Sequence, residues 1–275
     1  MTREVHGRSH TITAETSDVD GRPGGPPSTS RRPRPALTFL RELVFVVVGA
    51  LVVSSLLRAF VGQMFIIPSA SMENTLLEGD RVVVEKLTTF HRGDVVVFRD
   101  PADWLDEPSG HPGAVDRVLE LVGFPTESSP KHLIKRVIGT PGDTVVCCDD
   151  QGHVTVNGAA LDETAYLYTD PGGTQVAPST VRFRVVVPAG RIFVMGDHRD
   201  DSADSRCHLA DLSAEGQGQT AFVPVADVVG PAVAIVSPLD RTRRLRTPAT
   251  FSDVPAPQGP APSRAEIEPT GVTCP

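Results

Sequence analysis

The sequence is poor in aromatic residues and carries no excess of positive charge. Phe, Trp and Tyr make up 5% of its 275 residues, and the formal net charge is -8. This charge argues against a broad electrostatic footprint for nucleic acid. Glycine and proline are plentiful instead, with 24 and 25 residues, and this composition favours a turn-rich, mainly β domain over a helical bundle.

Metal-binding patterns are also missing. The four cysteines form no C-x-x-C pair, and the eight histidines show no H-E-x-x-H spacing. We therefore expect no zinc site and no other cofactor. The acidic segment at 194–206 resembles a calcium loop in its aspartate spacing, but it lacks the glycine and the terminal glutamate of such a loop.

The cysteines leave one question open. Cys147 and Cys148 are adjacent and are not expected to bridge each other easily. One of them could pair with Cys207 if the domain lies outside the cytoplasm. Cys274 is expected to be a free thiol in the C-terminal tail.

One long apolar segment is present. Leu43–Leu57 carries no charge, and its extension to 37–61 reaches the ~20 residues that a membrane-crossing helix needs. Arg41 and Arg58, near its ends, can extend their charged groups to the lipid headgroups. A buried soluble helix is the alternative, but a β-rich domain has no obvious place for it. A cleaved signal peptide is disfavoured because no clear A-x-A site follows.

The charges around this segment predict its orientation. Arg31, Arg32 and Arg34 precede it, and no comparable basic cluster follows it closely. By the positive-inside rule the N-terminus is cytoplasmic and the rest of the chain lies outside, in a single-pass plasma-membrane protein.

The remaining chain divides by composition. We predict a disordered N-terminal segment at 1–36, a β-rich domain at 62–240 with a loop insertion at about 100–131, and a disordered tail at 241–275. Short β-branched runs separated by Gly-Asp and Asn-Gly turns predict the strands: 81–87, 94–99, 132–138, 144–147, 154–156, 182–187, 192–195 and 228–235. Asn157-Gly158 is typical of a type I′ hairpin turn.

Three polar segments could carry chemistry. In the first, Phe65–Asp80, Pro68 favours extended backbone before it, and Ser69 and Ser71 follow two residues apart. In the second, Lys135 lies within an apolar β-run. Burial lowers the pKa of a lysine and makes it a usable base. An ordinary turn serine and a solvent-facing lysine are the alternatives.

The third segment, Val194–Arg206, interleaves aspartates with arginines and carries Ser202. Elsewhere the chain has no G-x-S-x-G elbow, and the residue three positions after Ser71 is Asn74, so there is no S-x-x-K motif. His198 could serve as a base, but a Ser-Lys pair is favoured.

Together these segments resemble bacterial type I signal peptidases. The resemblance covers about 40–238 and rests on three motifs in the family's order: PSxSM…TLxxGD at 68–80, KRxxGxPGD at 135–143 and GDxRDxSxDSR at 196–206. It implies an antiparallel β catalytic domain built from short strands and preceded by one transmembrane helix. It also implies a serine endopeptidase that binds the lipid bilayer and cleaves preprotein signal peptides. The sequence does not determine the oligomeric state, and we expect a monomer.

The resemblance also implies roles for individual residues. Ser71 is similar to the nucleophile, Lys135 to the general base, Ser69 to an oxyanion-hole donor, and Ser202 to the hydroxyl that positions the lysine. Two further sets are implied: a structural ion-pair turn of Asp197, Arg199, Asp204 and Arg206, and shallow P1 and P3 pockets lined by Ile67, Met72, Leu76, Leu133 and Ile134.

Two positions depart from the family pattern. Asn74 stands where the family usually has proline, and His198 where it usually has asparagine. The competing interpretations are a related Ser-Lys processing protease, a self-cleaving repressor, and a non-catalytic membrane-anchored β-domain. The apolar segment disfavours the repressor, and the presence of both Ser71 and Lys135 disfavours the non-catalytic domain.

Overall fold

In a computed structural model of the chain, the described residues are 35–60, 62–101, 104–105 and 132–268. Of the segment 1–36 that is predicted to be disordered, residues 1–34 lie outside these ranges, whereas residues 35 and 36 are helical. Most of the predicted insertion at 100–131 and Cys274 also lie outside the described ranges.

The chain's apolar segment forms a helix, α1, from Pro35 to Phe60. Proline suits this first position because it has no N–H group and its φ is already helical. A helix of this length extends about 39 Å, more than the ~30 Å hydrocarbon core of a bilayer. The window Thr38–Ser55 has a mean hydropathy of 1.8. Among the described residues, α1 is the one helix long and apolar enough to cross a membrane.

The rest of the described chain forms short strands and 3₁₀ turns. The strands are β1 Gly62–Ile66, β2 Arg81–Glu85, β3 Val95–Arg99, β4 His132–Gly139, β5 Thr144–Cys147, β6 Val154–Val156, β7 Ala159–Ala160, β8 Phe183–Val186, β9 Arg191–Met195, β10 Leu212–Ser213, β11 Gly216–Gln217, β12 Val223–Pro224, β13 Val228–Ser237, β14 Arg243–Arg244 and β15 Glu266–Glu268. Every pairing between named strands is antiparallel. The predicted mainly β fold is therefore confirmed.

Two sheets position the polar segments. The larger has the order β1-β2-β13-β3-β4-β9-β12, with β14 added to β13, and the smaller has the order β15-β8-β5-β6-β7. Strand β4 lies between β3 and β9, in the interior of the larger sheet. Its residues from Ile134 to Gly139 are all buried, so β4 is a rigid support for any side chain that it carries.

The predicted strands agree with the structure to within two residues at each end. The Asn157-Gly158 turn joins β6 to β7, and both residues have positive φ, 53° and 84°, as a type I′ turn requires. Strand β1 was not predicted, because the apolar residues that follow α1 continue its hydrophobic run.

The prediction of a disordered tail from residue 241 is wrong for residues 241–268. Phe251 and Val254 are buried in the core of the smaller sheet, and β15 pairs with β8. The proline-rich composition suggested disorder, but a few apolar residues among the prolines are enough to pack this segment against the smaller sheet.

The cysteine expectation is also wrong. Cys147 and Cys148 form a disulfide with each other across a cis peptide bond, whereas the expectation assumed the usual trans peptide between them. Neither residue is therefore bonded to Cys207.

Candidate active site

Ser71 and Lys135 meet in the structure, although 64 positions separate them in the chain. The Lys135 Nζ lies 2.6 Å from the Ser71 Oγ, at hydrogen-bond distance. Both residues are buried, with 6% and 3% of their surface exposed. The alternative of a solvent-facing lysine is thereby excluded.

Strand geometry explains the burial of Lys135. It lies opposite Val96 of β3, and because side chains alternate along a strand, it shares a face with Leu133 and Val137. Val96, Leu133 and Val137 belong to one hydrophobic cluster. Burial lowers the pKa of Lys135 from 10.5 to about 8. The nearby charge of Asp204 raises this pKa and that of Arg206 lowers it, but both effects are smaller than the effect of burial.

A short 3₁₀ turn, Ala70–Met72, carries Ser71. Ser69 precedes it in extended backbone, with φ -145° and ψ 162°, and its Oγ lies 3.3 Å from the Ser71 Oγ. The two hydroxyls are neighbours because the chain turns between them, not because they share the face of a strand as the sequence predicts. The first N–H groups of such a turn have no partner within it.

Ser202 reaches this site from the loop after β9. Its Oγ donates to the Asp204 Oδ2 at 2.8 Å. Gly196 lies between this hydroxyl and the nucleophile's backbone. A Cβ at position 196 would collide with the Ser202 Oγ and the Ser71 carbonyl oxygen, so the close packing here requires glycine. The predicted contact of Ser202 with Lys135 is not among the hydrogen bonds of the described residues.

Asp204 anchors the loop. It pairs with Arg206 at 2.9 Å and accepts from the Gly196 N–H. Burial favours a raised pKa for this carboxyl, but Arg206 and the Gly196 N–H outweigh it and hold the pKa at about 2. Asp204 is therefore charged at neutral pH, and its charge acts to raise the pKa of Lys135.

The predicted ion-pair turn is only partly self-contained. Arg206 and Asp204 pair within it, but Asp197 pairs with Arg136 of β4 at 2.5 Å, and Arg199 pairs with Glu163 at 2.5 Å. Burial of a charge is costly unless it is paired, so the turn depends on residues outside its own motif.

Sequence reasoning missed Arg136, Glu163 and Thr75. Arg136 is 2% exposed, and it bonds Asp197, the Thr75 hydroxyl and the Gly93 carbonyl oxygen. The adjacent positions of Lys135 and Arg136 in an apolar run could have indicated that both are buried. Two successive strand residues face opposite sides of the sheet, and both faces of β4 are covered. No local signal pointed to Glu163, which lies 36 positions before Arg199.

The five predicted pocket residues do not form one surface. Ile67, Met72, Leu76 and Ile134 belong to a single buried cluster. Leu133 is half-buried and packs against another cluster, on the Lys135 face of β4. Met72 and Leu76 have no exposed surface. In this conformation they are core residues that pack behind the site and do not line an open pocket.

The described residues contain no group of three or more His, Cys, Asp and Glu side chains that could hold a metal ion.

Comparison with known proteins identifies the family. A sequence model described as signal peptidase, peptidase S26, matches residues 40–237. Signal peptidase I of Mycobacterium tuberculosis is 38% identical over 246 residues, which cover 82% of this chain and 82% of that protein. Probable signal peptidase I of Mycobacterium leprae is 36% identical over 232 residues, which cover 74% of this chain and 78% of that protein.

A crystal structure of a signal peptidase I from Enterococcus faecalis V583 is 23% identical in sequence, with a TM-score of 0.28, and covers 52% of this chain and 97% of that one. The match over residues 40–237 and the 38% identical relative therefore show that the chain belongs to the signal peptidase family, peptidase S26, a family of serine endopeptidases.

Proposed function

We propose that this chain removes N-terminal signal peptides from exported preproteins, with Ser71 as nucleophile and Lys135 as general base. The observation that carries the proposal is the 2.6 Å contact between the Lys135 Nζ and the Ser71 Oγ at a buried lysine whose pKa is lowered to about 8. With that pKa, about a tenth of the lysine is neutral at pH 7. The family and the named relatives support the choice of reaction.

The reaction is an acyl transfer. The Ser71 hydroxyl donates its proton to the neutral Lys135 amine as the Ser71 Oγ attacks the scissile carbonyl carbon. The ammonium then protonates the leaving amine, and an ester between the Ser71 Oγ and the signal peptide remains. Lys135 next takes a proton from water as the water oxygen attacks the ester carbonyl carbon. When the bond between that carbon and the Ser71 Oγ breaks, the ammonium returns this proton to the Ser71 Oγ, which releases the signal peptide and restores the neutral amine.

Two donors are available for the oxyanion. The Ser71 N–H lies in the first turn of the 3₁₀ segment, and the Ser69 hydroxyl lies 3.3 Å from the Ser71 Oγ. Donors that are already in place where negative charge develops stabilise the transition state. Ser202 acts indirectly in this scheme, because its bond to Asp204 holds the loop that packs against Ser71.

The open edge of β4 supports an extended substrate. Strand β3 pairs with residues 132–136 of β4, but among the described residues β9 pairs only with residues 136–139. The main chain of residues 133–135 is therefore available to a substrate strand beside Ser71, in the manner of β-augmentation. Leu133 and Ile134 belong to that edge, and Ile67 packs in one cluster with Ile134. We propose that these three residues restrict P1 and P3 to small side chains.

Helix α1 supports a location at the membrane. We propose that it anchors the chain in the plasma membrane with its N-terminus in the cytoplasm and the catalytic domain outside. A signal peptide that emerges from the bilayer would then meet the site close to the membrane surface.

A cleavage assay tests this proposal. The full-length chain in detergent is incubated with a preprotein that has an Ala-x-Ala site, and the products are mapped by mass spectrometry. Ser71→Ala and Lys135→Ala are each expected to lower kcat/KM by at least about 10⁴-fold, because each removes one half of the nucleophile–base pair.

Ser252→Ala and Lys86→Ala are the matched controls for residue type, and both are expected to cleave like the parent. Cleavage by Lys135→Ala at the parent rate would show that Lys135 is not the base.

A further inference from the structure

His198 contacts the nucleophile's turn, yet the proposed chemistry does not use its imidazole. Its main-chain N–H donates to the Ser71 carbonyl oxygen at 3.1 Å. Its side chain is only 14% exposed. A titratable ring is therefore packed beside the peptide unit that carries the nucleophile.

The imidazole is held between an aromatic ring and a carboxylate. Tyr168 stacks on it with ring centroids 3.8 Å apart and an angle of 26° between the planes. The His198 Nδ1 lies 3.4 Å from the Glu73 Oε2. This nitrogen is buried, and it makes no hydrogen bond with the described residues at the present separation.

Glu73 ends the turn that holds Ser71. It directly follows the 3₁₀ segment Ala70–Met72, and its N–H donates to the Ala70 carbonyl oxygen at 2.8 Å. A link from the His198 ring to Glu73 would thus add a second attachment to the main-chain bond at Ser71. The turn would then be held at its centre and at its end by one residue.

The proton on the ring decides the strength of this link. An imidazolium presents an N–H to the Glu73 carboxylate, and a charge-assisted hydrogen bond of this kind is about twice as strong as a neutral one. The face of Tyr168 also attracts a cation. A neutral ring protonated on Nε2 instead turns a lone pair toward the carboxylate.

Two charged groups of the same loop have partners of their own. Asp197 pairs with Arg136, and Arg199 with Glu163. Tyr168 stacks on the ring and Glu73 approaches it from the nucleophile's turn, and the loop of His198 also carries the charged residues Asp197, Arg199, Asp200 and Asp201. Glu73 is the carboxylate that the ring nitrogen approaches.

We infer that His198 is a positioning residue for Ser71, which holds the nucleophile's turn through its main chain and, when protonated, through an ion pair with Glu73. The inference rests on the proposed role of Ser71 as nucleophile. Small displacements of a reacting group cost rate, so loss of the ion pair lowers kcat, while KM is unchanged because neither side chain is placed on the substrate strand.

The test compares kcat of the full-length chain with that of His198→Leu in detergent between pH 5.5 and 8.5. An imidazole changes its charge within this range. The parent is expected to exceed the variant about fivefold at pH 6, and the ratio is expected to fall toward unity at pH 8.5. The titration of Lys135 affects both proteins and cancels in the ratio.

Two further variants keep the inference falsifiable if the leucine variant folds poorly. His198→Asn places an amide N–H near the position of the imidazole Nδ1, and this donor does not titrate. The ratio of the kcat of His198→Asn to the kcat of Glu73→Gln should therefore not depend on pH. Glu73→Gln keeps an acceptor oxygen but removes the charge, so the parent should exceed it at pH 6 and match it at pH 8.5.

A parent-to-variant ratio that stays constant from pH 5.5 to 8.5 would overturn the inference and leave His198 as a packing residue. Failure of the proposed function has a different signature, because Ser71→Ala or Lys135→Ala would then retain cleavage whatever the behaviour of the His198 variants.

Discussion

Burial of the Lys135 side chain costs the folded protein stability whenever the amine is charged. Its pKa is about 8 in the folded state and 10.5 without the influence of the fold. The penalty is therefore complete below pH 8. It decreases between pH 8 and 10.5, because the folded protein loses this proton before the unfolded chain does, and above pH 10.5 it is gone.

This penalty predicts that Lys135→Met is more stable than the parent at neutral pH. The expected gain in unfolding free energy is roughly 3 kcal/mol at pH 7, from a pKa shift of about 2.5 units, and it should approach zero near pH 10.5. Denaturant unfolding at several pH values measures it, with Lys86→Met as control. A methionine variant that is less stable than the parent at pH 7 would contradict the burial account.

At the scale of elements, the C-terminal segment acts as part of the domain. Phe251 is 5% exposed and packs into the core of the smaller sheet, and it closes over Gly93, where a Cβ would collide with the phenyl ring. Gly93 has φ +84°, a conformation that suits glycine. The segment thus covers the turn that leads into β3.

Phe251→Ala should therefore destabilise the domain by about 3–5 kcal/mol, the usual cost of emptying a phenylalanine site in a core. Leu239→Ala, at a position 88% exposed, is the matched control and should change stability by less than about 0.5 kcal/mol. Thermal unfolding of the two variants gives the comparison. Equal effects would mean that residues 249–254 do not belong to the core in solution.

The sequence predicts elements well where local pattern decides them. Short β-branched runs located β2, β4 and β9, and the Asn157-Gly158 dipeptide predicted a type I′ turn. Contacts between residues far apart in the chain could not be predicted from local sequence patterns. The Glu163–Arg199 pair joins distant loops, and Phe251 lies in a segment whose composition is typical of disorder. For the candidate site, the types and order of residues predicted Ser71 beside Lys135, but not the turn geometry at Ser69 or the part played by Arg136.

At the scale of the whole molecule, the proposed topology depends on α1 and the arginines before it. An epitope tag at residue 1 should be reached by antibody only after spheroplasts are permeabilised, whereas a tag after residue 275 should be reached on intact spheroplasts. The positive-inside rule gives this expectation. Exposure of the N-terminal tag alone on intact spheroplasts would reverse the orientation and separate the site from exported substrates.

The central claim is that a neutral Lys135 takes the proton of Ser71. The most direct measurement is the pH dependence of kcat/KM for cleavage of a preprotein between pH 6 and 10. With the lysine pKa at about 8, the rate should rise about tenfold per pH unit below pH 8, since only the neutral amine is active, and level off above it. A profile that is flat from pH 6 to 9 would contradict the claim, because no basic group would then need to lose its proton.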